Sequence, residues 1–194
     1  MKTIFLSIVS VALVLIVQAQ RTDAYFGVKA GLNVASLNVE DGVDFNSRAS
    51  ANVGVLAHIH LTPHFAVQPE LYLSGQGGKD GNEEIKLLYL NLPLLLQYMA
   101  GGGFRLYTGP QLGVLLRARE KTGNVEVDFK DELKSVDFSW AFGAGYQFPG
   151  SGFGIDARYN LGVSNINDGS TVVQNRVFAV GVFYQFMPTV VHHR

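Results

Sequence analysis

The stretch VDFSWAFGAGYQF at positions 136–148 decides the fold class. Val136, Phe138, Trp140, Phe142, Ala144, Tyr146 and Phe148 take every second place, and Asp137, Ser139, Ala141, Gly143, Gly145 and Gln147 fill the places between. A period of two puts the first set on one face of a β-strand and the second on the other. Periodicity alone does not say which face is inside. Residue size does: a face of glycine, alanine and small polar groups suits a tight lumen, and a face of large aromatics suits lipid.

The same alternation recurs across the chain. Strands are predicted at 25–36, 51–61, 65–74, 86–98, 104–117, 136–148, 153–163 and 178–186. Phe26, Val28, Ala30, Leu32 and Val34 are assigned to lipid in the first, and Leu88, Leu90, Leu92, Leu94, Leu96 and Tyr98 in the fourth. In the fifth, Phe104, Leu106, Leu112, Val114 and Leu116 face out, while Arg105, Tyr107, Gly109, Gln111, Gly113 and Arg117 face in. Leu56, Leu87 and Leu95 are apolar exceptions on inner faces. Aromatics gather at strand ends, among them Tyr25, Phe65, Tyr98, Phe104, Phe148, Phe153, Tyr184 and Phe186, as in an interfacial girdle.

The connections carry an independent signal. Short turns at 62–64, 100–103 and 149–151 alternate with longer polar stretches at 38–47, 75–84, 118–135 and 165–175. Short periplasmic turns and longer outer loops are the habit of outer-membrane barrels. The expected fold is therefore all-β, an eight-stranded antiparallel up-and-down transmembrane β-barrel, with both termini on the periplasmic side. The alternative is a secreted soluble barrel, whose apolar face would point inward around a ligand.

The N-terminus reads as an export signal. Lys2 is followed by an apolar run over 4–17, then by Val17-Gln18-Ala19 with small residues at the −3 and −1 positions. Residues 1–19 are expected to be a cleaved signal peptide, 20–186 the barrel and 187–194 a short tail. Beyond the signal no run is long and apolar enough for a spanning helix. The 194 residues carry a formal net charge of −1, so no global charge argues for nucleic acid. The absence of cysteine rules out disulfides and thiolate metal sites.

Five charged residues fall on inner faces: Lys29, Glu70, Arg105, Asp156 and Arg158. Charges inside a narrow barrel must pair, because a buried unpaired charge is very costly. They are expected to form a structural polar cluster that plugs the lumen, with Glu70–Arg105 and Asp156–Arg158 as candidate pairs. His58 and His60 share one strand face, and His64 follows in the turn. That spacing suits imidazole ligation, but the strand supplies no carboxylate, so no metal site is expected. There is no GxSxG, HExxH, P-loop or dinucleotide fingerprint. No catalytic residue or cofactor is expected. A serine at Gly143 is expected to be mild, since a hydroxyl can join a polar lumen.

The chain resembles the PorT-like outer membrane protein beta-barrel domain family of Bacteroidetes-type Gram-negative bacteria. The resemblance is carried by FGVKAGLN at 26–33, FAVQPELYLS at 65–74, YLNLPLLLQY at 89–98, LYTGPQLGVLL at 106–116, ARYNLGVSNI at 157–166 and FAVGVFYQF at 178–186. It covers essentially all of the expected mature chain, and its specificity lies in the order and spacing of the segments. It implies an outer-membrane barrel without enzymatic activity, and no single function. The family's namesake is similar to a component linked to a dedicated protein-secretion system, and no local feature here marks that role. One departure is the tail MPTVVHHR after Phe186, where barrel assembly usually reads a terminal aromatic. The expected function is structural or surface interaction. The alternatives are a channel for small or hydrophobic solutes and an accessory to protein secretion. Expected partners are outer-membrane lipid, the barrel-assembly machinery and an extracellular or envelope protein.

Overall fold

The strands pair antiparallel, each with the next along the chain save for one short strand that the ring passes over, and the two ends of the series meet. In the computed structural model, which describes residues 24–39, 46–81, 83–123, 125–168 and 171–186, the strands are β1 (Ala24–Val39), β2 (Asn46–His60), β3 (Phe65–Asp80), β4 (Glu83–Gly101), β5 (Phe104–Thr122), β6 (Val125–Asp128), β7 (Val136–Gln147), β8 (Phe153–Gly162) and β9 (Val173–Gln185). The order β4-β3-β2-β1-β9-β8-β7-β5 closes on itself through β4–β5, so eight strands form a barrel with no free edge. The ninth strand, β6, adds to β5 outside the ring. The expected signal peptide (1–19) and tail (187–194) lie outside the described residues.

The alternation in sequence becomes an alternation in exposure. On β7, Asp137, Ser139 and Ala141 are buried, while Phe138, Trp140 and Phe142 are exposed. The same holds round the barrel. Lys29, Glu70, Gln97, Arg105, Gln111, Arg158 and Asn160 are buried inside, and Leu32, Val55, Leu96, Leu106, Ile155 and Val182 stand on the outer wall. An exposed apolar wall round a buried polar interior is the inverse of a soluble barrel, and only a lipid solvent makes it favourable. On that wall Trp140 Nε1 donates to Thr108 Oγ1 at 2.8 Å, which in turn donates to the Ala141 carbonyl at 3.0 Å. The polar groups of Trp140 and Thr108 are thus satisfied within the sheet, as hydrocarbon requires.

Three expectations are corrected. The stretch 75–84 is not a loop: β3 runs to Asp80 and β4 starts at Glu83, around Gly81 at φ +54°. The pattern misleads because the residues of 75–84 are glycine or polar at every position, with no apolar alternation, although Gln76, Gly77 and Gly78 are buried. The stretch 118–135 likewise holds the end of β5, β6 and a 3₁₀ turn at Lys130–Glu132. Third, Arg117 is exposed and does not point inward. Leu88 lies opposite Arg117, but Tyr89 lies opposite Leu115, so Leu116 is an extra residue in β5. This β-bulge slips the phase, and Ala118 takes the inner place.

Candidate functional site

Among the described residues the buried polar side chains gather in the lumen, and its middle is an ion-pair cluster. Glu70 on β3 and Arg158 on β8 come from opposite walls. Arg158 Nη1 donates to Glu70 Oε2 at 2.8 Å and Nη2 to Oε1 at 2.7 Å, a bidentate fork. Lys29 Nζ on β1 reaches the same Oε2 at 3.0 Å, and Gln68 Nε2 donates to Oε1 at 2.7 Å. Asp156 lies 3.7 Å from Lys29 Nζ and 3.8 Å from Arg158 Nη2, and accepts from Tyr107 OH at 2.7 Å. The Arg158 guanidinium also lies over the rings of Tyr107 and Tyr72, 5.1 and 5.8 Å from their centroids. Both Glu70 oxygens thus accept charge-assisted bonds, as holding a fully buried carboxylate in a low-dielectric lumen demands.

Four of the five expected residues, Lys29, Glu70, Asp156 and Arg158, therefore meet. Arg105 does not join them: it donates to Gln147 Oε1 and lies 5.0 Å from the centroid of Phe183. Of the two candidate pairs, Asp156 and Arg158 are in ion-pair range, and Glu70 is taken by Arg158 and Lys29 rather than by Arg105. Register explains it. Arg105 sits opposite Gly145 near the short-turn end, where β3 presents Gln68 and Ala66. His58 is buried with its Nδ1 3.2 Å from Gln68 Oε1, and its ring meets that of His60 edge-on at 4.6 Å. Among the described residues no group of three or more His, Cys, Asp or Glu side chains is arranged to hold a metal.

Towards the long-loop end the polar filling continues. Tyr72 OH donates to Gln111 Oε1 at 2.6 Å, Gln111 Nε2 to Ser139 Oγ at 3.0 Å, and Asn52 Nδ2 to Asn33 Oδ1 at 2.6 Å. A cavity between Lys29, Asn52, Tyr72, Asp156 and Arg158 measures about 10 Å³, room for about one water molecule. Above this layer comes an apolar cap, which the sequence reading missed. Leu37, Leu87, Tyr89, Leu115, Ala118 and Ile166 are buried together, with Ile85, Phe129, Leu133 and Val173 packed against them. Ile166, Phe129 and Leu133 come from the connections, which are tied by Lys134 N to Ile166 O at 2.8 Å and Ile166 N to Val173 O at 2.9 Å. Large apolar residues within otherwise polar connections were the available signal. The inward Leu87 finds its reason here, and Leu95 packs with Tyr107 and Ala141 lower down.

A family model described as "Outer membrane protein beta-barrel domain" matches residues 18–168. Among solved structures, the chain is similar to Neisserial surface protein A, at 17% identity and a TM-score of 0.57, over 83% of this chain and 97% of that one. It is also similar to Ail, the attachment invasion locus protein of Yersinia pestis, at 16% identity and a TM-score of 0.52, over 84% of this chain and 99% of that one. At such identities the likeness is one of fold. No curated protein matches the chain.

Proposed function

The chain belongs to the outer membrane protein beta-barrel domain family, and from that premise we propose that it is a non-conducting barrel that acts through what it displays outside the membrane. The observation that carries this reading is the filled lumen. The cluster of Glu70, Arg158, Lys29 and Asp156 blocks the middle, and the cap around Ile166 closes the outer end. An ion entering there would have to break charge-assisted bonds that have no replacement.

Display is supported by the β4–β5–β6 sheet, which rises past the apolar wall. Val125 and Val127 on β6 are 63% and 56% exposed there. Exposed apolar side chains on an edge strand suit a protein partner that adds along the edge or packs on its face. Within the family, the order of the quoted segments supports a PorT-like member, exported by its N-terminal signal and inserted by the barrel-assembly machinery. No catalytic step belongs to this reading.

Planar-bilayer recording of the refolded protein tests it. The expected result is a quiet membrane at protein levels where a porin gives steps. Reproducible single-channel steps would overturn the closed lumen and favour the solute channel.

A further inference from the structure

We propose that the outward face of β4, β5 and β6, just beyond the apolar wall, is a docking surface for the phosphorylated headgroup of an outer-leaflet lipid. The inference rests on the barrel's seat in the outer membrane and not on its closed lumen, so the two readings fail separately.

The apolar wall ends at Leu88 on β4 and Leu116 on β5. The bulge then turns the next residue, Arg117, to the same outer side as Leu116. A regular strand would have pointed this cation inward. Instead it stands one residue past the hydrocarbon boundary, exposed, and its guanidinium makes no ion pair or hydrogen bond among the described residues. Beyond it, Lys86 and Arg119 are direct register partners. Like charges placed opposite repel unless an anion lies between them. Glu126 of β6 bridges the two, 3.4 Å from Lys86 Nζ and 3.2 Å from Arg119 Nη1. Lys121, exposed on the same strand, is the register partner of Glu84 and Glu126, both already engaged by other cations. Asp128 of β6 is the other register partner of Arg119, so Lys86, Arg117, Arg119 and Lys121 share this face with Glu84, Glu126 and Asp128, and the charge left over is that of Arg117, next to the apolar wall.

The opposite rim is built differently. There the outward side chains are aromatic: Phe65 on Tyr98 at 5.3 Å, Phe104 on Tyr146 at 4.9 Å, Phe153 on Tyr184 at 4.6 Å. No Lys or Arg joins them on that outer face among the described residues. One leaflet is met by rings and the other by guanidinium and ammonium groups. That asymmetry fits a leaflet whose lipids carry clustered phosphates, which arginine binds through several N–H donors at once. The apolar groups below Arg117 would hold the acyl chains of the same molecule.

The test uses the refolded barrel in phosphatidylcholine nanodiscs doped with diphosphoryl lipid A or with its dephosphorylated form. Native mass spectrometry after detergent release counts retained lipid. Retention of the diphosphoryl form is expected, weakened about fivefold by R117Q and again by R119Q, and weakened by salt. His64→Gln, at the other rim, is expected to change nothing. Heat-modifiable gel mobility checks that each variant is folded. Equal retention of the dephosphorylated form would overturn the proposal, as would unchanged retention by folded R117Q/R119Q. Displacement by inorganic pyrophosphate at matching concentration would overturn it too, since it marks a simple anion site.

Discussion

Tyr107 fills the space that a side chain at Gly143 would need. The two are register partners on β5 and β7, and a Cβ on Gly143 would overlap the phenol ring. The arrangement repeats with the Phe183 ring at Gly154, again a register pair, whereas at Gly54 an added Cβ would meet the Tyr72 Cβ and the Leu71 carbonyl oxygen. The lumen admits the Tyr107 and Phe183 rings because a glycine lies beside each. This accounts for Gly143 and Gly154 better than a general demand for smallness.

A serine or alanine at Gly143 is therefore expected to be harmful, contrary to the reading from sequence. Tyr107 is buried and bonded through its hydroxyl to Asp156, so its ring has little freedom to move. The expected loss is about 1–3 kcal/mol, the usual cost of overpacking. Alanine at Gly145, where the nearest atom to a Cβ is 3.1 Å away, is expected to cost less. Urea titration of folded and unfolded barrel in detergent compares the two. Equal stabilities would dismiss the ring-on-glycine account.

Glu70→Gln is expected to be the most damaging single change in the lumen. It leaves Lys29 and Arg158 facing a neutral amide while both remain buried. Breaking a buried ion pair from one side costs about 3–5 kcal/mol. The double variant Glu70→Gln with Arg158→Gln is expected to recover part of that. Arg105→Gln is expected to cost less, about 1.5–3 kcal/mol, because its partner is the Gln147 amide. A double-mutant cycle by the same titration measures the coupling. Strict additivity of Glu70 and Arg158 would argue against the cluster as one unit.

The side of the wall on which each residue stands was legible in the chain because the strand period is two and lipid and lumen select opposite side chains. Arg117 escaped because a bulge adds one residue without disturbing composition. The hairpin at 75–84 escaped because its residues are glycine or polar on both faces, so the period of two leaves no trace there. The pairing of Glu70 was illegible for a different reason. Arg158 lies on the opposite wall, 88 residues away, and only the shear of the closed barrel brings the two to one height. Ile166 was hidden by its polar surroundings in sequence, though it packs with Leu115 and Tyr89.

Acid is expected to loosen the outer part of the β3–β4 hairpin. Glu84 lies beyond the apolar wall, and a hydrogen bond from Arg48 Nε at 2.8 Å holds its carboxyl below the usual carboxylate range, helped by Lys79 and Lys86. A carboxylate whose pKa is depressed by folding stabilises the fold above its unfolded value. That contribution is lost as pH falls through the folded one. Hydrogen exchange at Gly78 and Ile85, register partners next to Lys79 and Glu84, should lose protection as pH falls below the usual carboxylate range. Glu84→Gln should show less protection at neutral pH and a flatter response to acid. An unchanged pH response in that variant would remove Glu84 as the cause.

The sharpest expectation concerns Leu112 and Gly113, adjacent on β5 and facing opposite ways. Leu112 stands on the outer wall, register partner of Leu92 and Phe138, and Gly113 lies inside against Asn91 and Tyr89. Arginine at Leu112 is expected to cost about 2–4 kcal/mol, because a charge near the bilayer midplane has neither water nor partner. The same substitution at Arg117's neighbour Leu116, where the wall ends, should cost about 0–1 kcal/mol. A fluorophore on a cysteine at Leu112 should be quenched by brominated acyl chains. One at Gly113 should not, and that variant also tests whether the packed lumen accepts a label at all. Loss of the fold at Gly113 with strong quenching at Leu112 agrees with a filled barrel in lipid. Quenching at neither site in folded protein would mean that Leu112 does not face lipid, and the assignment of the outer wall would fall with it.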